Sequence, residues 1–150
     1  MSQFATDADL KEYEPQILEF GIQDFSDLHE KTYNDIIRLL NIRWWPSTRY
    51  GRLDISVLQG SATKLEEAKL DETQFVRAAV YHVLSHYIYP KLSTFDPAGD
   101  VFREKMSYYK SKFEEEFNLI LEVGVSYDLD NSGTFTDSEK KPYYHRRLQR

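Results

Sequence analysis

Residues 100–123 read DVFREKMSYYKSKFEEEFNLILEV. Phe102, Met106, Tyr109, Phe113, Phe117 and Ile120 recur at steps of three or four, which is the period of one helix face. The stripe runs for about six turns at 3.6 residues each, with charged residues on much of the opposite side. The spacing predicts a helix from about Asp100 to Val123 whose apolar stripe forms the centre of the packing. Immediately upstream, Pro97 and Gly99 mark a loop. Before that, Asp71 to Leu92 carries Val76, Ala79, Val80, Val83 and Tyr87 along one face. Asp71 and Gln74 have the spacing of a capping box, and Pro90 marks the expected end.

Further out, DFSDLHEKTYNDIIRLLNIRWWP places Leu28, Tyr33, Ile36, Ile37 and Leu40 on a third helical face. Ser26 or Asp24 can cap it and Pro46 stops it. Trp44 and Trp45 sit at that boundary and read most simply as packing residues. The opening TDADLKEYEPQILEFG predicts a helix capped by Thr6 or Asp7, interrupted at Pro15 and closed at Gly21. Residues 46–70 have no helical period; RLDISVLQG within them has strand-like composition but stands alone. Three or four helices with short connections predict an all-α fold, a small helical bundle. The bundle is expected to fill residues 1–126, with an EF-hand-like loop and an extended C-terminal tail in 127–150.

The chain has 150 residues, 41% of them hydrophobic and none of them cysteine. That length suits one domain with its own core, and disulfides and thiolate metal sites are excluded. No apolar run approaches the roughly 18 residues of a membrane span. MSQFATDADL has no basic segment followed by an apolar one, so no secretory signal is expected. The net charge of −6 is unevenly spread. Residues 140–150 hold Lys140, Lys141, Arg146, Arg147 and Arg150 and no acid, while the other 139 residues hold 14 bases and 25 acids, a balance of −11. An acidic body is a poor platform for gripping nucleic acid. The tail, with Pro142, Tyr143, Tyr144, His145, Arg146, Arg147 and Arg150, interleaves tyrosine with arginine, both favoured in protein interfaces. A protein partner is therefore expected there.

Between body and tail lies DLDNSGTFTDSE, Asp128 to Glu139. A twelve-residue calcium loop needs oxygen ligands at positions 1, 3, 5, 7, 9 and 12 and glycine at 6. Here those positions are Asp128, Asp130, Ser132, Thr134, Thr136 and Glu139, with Gly133 at the turn. Two parts of an EF-hand are missing. Pro142 truncates any exiting helix, and no second loop is present to pair with. Only Asp128, Asp130 and Glu139 are carboxylates, so any Ca²⁺ is expected to bind weakly and none is required. A turn capped by its own Asp, Asn and Ser side chains is the competing reading.

Other chemistry is sparse. His82 and His86 share a helix face, but Val83 follows His82, so the glutamate of an HExxH zinc site is absent. His29 and His145 are isolated. Glu114, Glu115 and Glu116 read as a solvated face. No glycine-rich phosphate loop or nucleophile elbow is present, and an enzyme is not expected.

Taken in order, the acidic opening ATDADLKEYEPQI, the middle FVRAAVYHVLSHYIYPKL and the run FREKMSYYKSKFEEEFNLILEVGVSYD with its loop and basic tail resemble head-to-tail connector proteins of tailed bacteriophages. These are also called adaptor or head-completion proteins. The resemblance implies a non-catalytic helical bundle in the virion neck, made in the host cytoplasm and assembled as a dodecameric ring. It implies the portal protein as one partner and the next neck or tail protein as another, with DNA passing through the channel without specific binding. The C-terminal segment would insert into the portal. Two alternatives stand beside it: a calcium-binding module, and a regulatory helical interaction module.

Overall fold

The computed structural model describes residues 2–22, 25–45, 65–93, 99–128 and 131–136. The protein is all-α. Among the described residues the β-type pairing is an isolated antiparallel bridge between Leu70 and Tyr127, and no helix is long and apolar enough to cross a membrane. RLDISVLQG lies outside the described residues.

Helix α1 spans Asp7–Tyr13 and is closed at its start by a capping box. The Thr6 backbone N–H donates to Asp9 Oδ2 at 2.7 Å, and its hydroxyl reaches the same oxygen at 2.8 Å. Pro15 cannot continue the helix because it lacks an N–H, and the chain resumes as a 3₁₀ turn over Ile17–Phe20. Helix α2 spans Phe25–Arg43. Leu28, Tyr33, Ile36, Ile37 and Leu40 are all buried, as the periodicity predicts. Ser26 is not the residue before the helix: it falls inside the first turn, and Asp24 lies outside the described residues.

The segment expected as one helix from Asp71 to Leu92 is more varied. A 3₁₀ turn, Glu72–Phe75, leads into α3, Val76–Val83. A π-helical turn, Leu84–Ile88, then joins α3 to α4, Tyr89–Leu92. Pro90 thus lies within helical structure, in the first turn of α4. An interior proline removes one backbone donor, and its ring crowds the carbonyl four residues back. The wider π turn just before it gives room at that place. Helix α5 spans Val101–Val123, within one residue of the expected start. Asp100 Oδ1 accepts the Phe102 N–H at 3.0 Å, satisfying a donor of the first turn. Gly124, at φ 107°, ends the helix in a conformation that L side chains resist.

The chain divides into two compact units, with boundaries inside α2 and α5. The first comprises Met1–Asp35 and Glu72–Leu119. Its core packs Phe4 against Tyr33 and Phe75, with ring centroids 4.5 and 5.1 Å apart. Phe113 stacks on Phe117 at 5.6 Å, and Tyr89 on Tyr109 at 5.9 Å. The second comprises Ile36–Asp71 and Ile120–Arg150. Trp44 and Trp45 both pack on Tyr127, at 5.5 and 5.6 Å, and Tyr127 is nearly inaccessible. Its hydroxyl accepts the Glu66 N–H at 3.0 Å, while Asn41 Oδ1 accepts that of Leu65 at 3.0 Å. The backbone pairing beside the Leu70–Tyr127 bridge runs from Asp71 N–H to the Ser126 carbonyl and from Asp128 N–H to the Lys69 carbonyl. Ordered pairing therefore continues two residues past 126, the expected end of the body.

Candidate functional site

The loop after α5 begins where that pairing ends. Asp128 turns its carboxylate back over the chain. Oδ1 accepts the Ser132 N–H at 2.9 Å and Oδ2 accepts the Gly133 N–H at 2.9 Å. Two residues give the turn its hand: Asn131 at φ 56° and Gly133 at φ 79°. Asparagine and glycine tolerate this region best, so these residues at these places make the turn local and inexpensive. Ser132 Oγ lies 3.4 Å from Asp128 Oδ1, 3.3 Å from the Thr134 carbonyl oxygen and 2.9 Å from Thr134 Oγ1. Loop positions 1, 5 and 7 therefore bring oxygen atoms together, in the order a calcium loop uses them. The same hydrogen bonds are those of a self-capped turn. Thr136 is exposed. Asp130 and Glu139, the other two carboxylates of the set, lie outside the described residues, as do Pro142, Tyr143, Tyr144, His145, Arg146, Arg147 and Arg150. Among the described residues no three His, Asp or Glu side chains are gathered for a metal.

A second polar cluster sits at the π turn. His82 is buried, with 4% of its surface exposed, while His86 is exposed at the surface. Their rings stack with centroids 4.1 Å apart and planes 6° from parallel. Phe113 of α5 meets both rings edge-on, at 4.8 and 6.0 Å. Ser85 Oγ is 2.7 Å from His86 Nδ1 and 3.3 Å from the His82 carbonyl oxygen. Asp35 of α2 accepts a hydrogen bond from the Tyr87 hydroxyl, and its Oδ2 is 3.8 Å from His82 Nε2. Burial, and then the neighbouring His86, push the His82 pKa down to about 3. Although part of His86 is exposed, its ring loses water where it packs on His82 and Phe113, and this desolvation is the largest influence lowering its pKa. The stack is thus a neutral pair near pH 7. Ser85 is buried, and its hydroxyl is engaged by the helix carbonyl and the imidazole. That arrangement ties the π turn to the histidine pair.

A third cluster surrounds Glu14. Lys105 Nζ approaches its two oxygens at 3.2 and 3.0 Å, and the Tyr109 hydroxyl donates at 2.8 Å. The Tyr89 hydroxyl faces the same carboxylate without a well-aligned bond. Burial pushes the Glu14 carboxyl up, but the hydrogen bonds from Lys105 and Tyr109, with the Tyr89 hydroxyl nearby, outweigh it, and the pKa is lowered. His29, isolated in the sequence, is buried with Nε2 3.0 Å from Asp7 Oδ1. A surface cleft of about 330 Å³ lies between Asp9, Glu12, Tyr13, Thr73, Arg77 and Glu116. Its three carboxylates and one guanidinium fit a solvated polar groove; of the glutamate run, Glu115 is exposed, while Glu114 and Glu116 are half-buried and Glu116 lines this cleft.

Sequence reasoning located the loop and the histidine pair but missed Asp35 and Tyr87 beside that pair, and missed the separate cluster of Glu14 with Lys105 and Tyr109. No local signal marks them. Asp35 meets Tyr87 across 52 residues, and Glu14 meets Lys105 across 91. Comparison with protein-family models, with curated proteins and with solved structures returns no match.

Proposed function

We propose that this chain is a structural head-to-tail connector of a tailed bacteriophage. In this role it forms a ring between the portal and the next neck or tail protein and extends the DNA channel. The observation that carries the reading is the separation of charge: −11 over residues 1–139 and +5, without one acid, over residues 140–150. An acidic channel wall repels phosphate and lets a duplex slide. A basic, tyrosine-bearing end suits docking on an acidic protein surface. The all-α body and the order of segments resembling such connectors are consistent with it. The test is the composition of purified particles. The chain is expected in a fixed ratio to the portal, with its density at the neck. Its absence from particles rejects the proposal.

A second reading is favoured by the oxygens converging at Asp128, Ser132 and Thr134. In that case the loop holds Ca²⁺ and the chain is a small calcium-binding or regulatory helical module. Asp130 and Glu139 would then complete the ligand set, and the ion would rigidify the exit from α5. Calorimetry with calcium discriminates: weak binding that leaves helix content unchanged fits a structural elbow. Submicromolar affinity with a large rise in helix content favours the module.

A further inference from the structure

Helix α5 carries a second pattern on its outward side. Val101, Tyr108 and Leu119 are 64%, 56% and 52% exposed and share one solvent-facing stripe. At 100° per residue, positions 101, 108, 112, 115 and 119 fall within an arc of about 60°, roughly a third of a turn from the buried Tyr109, Phe113 and Phe117. Lys112 and Glu115 lie between the two apolar side chains Tyr108 and Leu119, with Nζ and Oε2 3.5 Å apart. Lys112 Nζ also sits 5.6 Å from the centre of the Tyr108 ring.

The pattern is symmetric. Tyr108 stands four residues before Lys112, and Leu119 stands four residues after Glu115. A two-fold axis crossing the helix midway between Lys112 and Glu115 brings an antiparallel copy into register. Each Lys112 then faces a Glu115 of the second copy, and each Tyr108 faces a Leu119 of the second copy. We infer that the occupant of this face is a second copy of the same chain, paired antiparallel through α5. A parallel pairing would set Lys112 against Lys112 and Glu115 against Glu115, which is repulsive. A different protein would have no need of this internal symmetry, whereas an isologous contact uses every pair twice. The steps of four and three along 108, 112, 115 and 119 keep these side chains on one helix face, with the charged pair at its centre and an apolar side chain at each end.

The contact is small. One helix face falls short of the roughly 800 Å² per partner of a standard interface, so dissociation is expected on the order of 100 µM. This pairing concerns the free chain and does not rest on the neck reading.

Sedimentation equilibrium of the full chain at low salt, from about 10 µM to about 1 mM, tests it. The average mass should climb from 17.8 kDa toward twice that value. Leu119→Asp should raise the dissociation constant at least about tenfold, and Lys112→Glu or Glu115→Lys alone should raise it about threefold or more. The double exchange Lys112→Glu with Glu115→Lys should restore it to within about twofold, because the complementarity is rebuilt with signs reversed. All four side chains are at the surface; a variant whose thermal melt nonetheless shifts is replaced by Leu119→Ser or Glu115→Gln, with the same direction expected. A monomer throughout the range, single exchanges without effect, or a double exchange that stays weak overturns the inference. So does growth past the dimer into rings or filaments. Loss of a different protein partner by Leu119→Asp, with self-association unchanged, assigns the face elsewhere and also overturns it.

Discussion

His82 shows how one residue couples the fold to pH. It is buried against His86 and Phe113, and its pKa falls to about 3 from an ordinary 6.5. A histidine held neutral by the fold binds its proton more readily when the chain unfolds. Stability from this group is therefore complete above pH 6.5 and declines as pH falls from 6.5 toward 3. Within that window the slope for one proton is about 1.4 kcal/mol per pH unit. Urea titrations at pH 7, 6 and 5 should show the midpoint falling, and His82→Leu should flatten much of the dependence. A wild-type midpoint that does not move between pH 7 and 5 contradicts the buried neutral stack. Glu14 acts lower on the scale. Its pKa is depressed by Lys105 and the tyrosines against the pull of burial, so its contribution is present above about pH 4.5 and lost as acid protonates it. Glu14→Gln keeps the shape but removes the charge from two strong hydrogen bonds. It should cost about 1.5–3 kcal/mol at pH 7 in a denaturant titration. A loss below about 0.5 kcal/mol would mean that Lys105 and Tyr109 are as well served by water.

At the scale of elements, α5 carries the most legible part of the fold. Tyr109, Phe113, Phe117 and Ile120 are buried where a 3.6-residue period places them, and Gly124 ends the helix. Phe113 is 2% exposed and touches His82, His86 and Phe117, so Phe113→Ala should cost about 3–5 kcal/mol. A denaturant titration that returns less than about 1 kcal/mol would show that the site collapses around the missing ring. The segment from Asp71 to Leu92 was legible as helical but not as a π turn. Periodicity reports which side is apolar, and a five-residue π turn shifts that side too little to be read. Only Pro90, as a helix-breaking residue inside an apolar pattern, hinted at irregular geometry. The pairing of Lys69 and Leu70 with Tyr127 and Asp128 was not legible at all, because two short extended pieces far apart in sequence leave no periodic trace. The loop at Asp128–Gly133 was legible because its turn chemistry is local: Asp128 accepts the backbone N–H groups of Ser132 and Gly133, four and five residues on, and Asn131 and Gly133 take the positive φ values.

For the whole molecule, the decisive question is what the basic end does. Every buried side chain among the described residues lies at or before Tyr127, while those from Asn131 to Thr136 are exposed. Deleting 142–150 should change the unfolding midpoint little, because PYYHRRLQR carries no apolar helical period and its loss removes no packing face from the body. Docking is another matter. Tyr143 and Tyr144 can anchor with only two side-chain torsions each to lose, and Arg146, Arg147 and Arg150 can each grip a carboxylate with two parallel hydrogen bonds. On the connector reading, infection with a phage carrying the truncated chain should yield filled heads without attached tails, or heads that leak DNA, counted by electron microscopy. Arg146→Lys with Arg147→Lys separates charge from geometry. The tail keeps its +5, so long-range attraction to an acidic surface is preserved, but the planar fork is lost. This variant should join heads to tails at a yield between those of the intact and truncated chains. If attraction alone mattered, the lysine variant would match the intact chain. If the truncated chain still joins heads to tails at full yield, residues 142–150 are not the docking element, and the charge separation must have another cause.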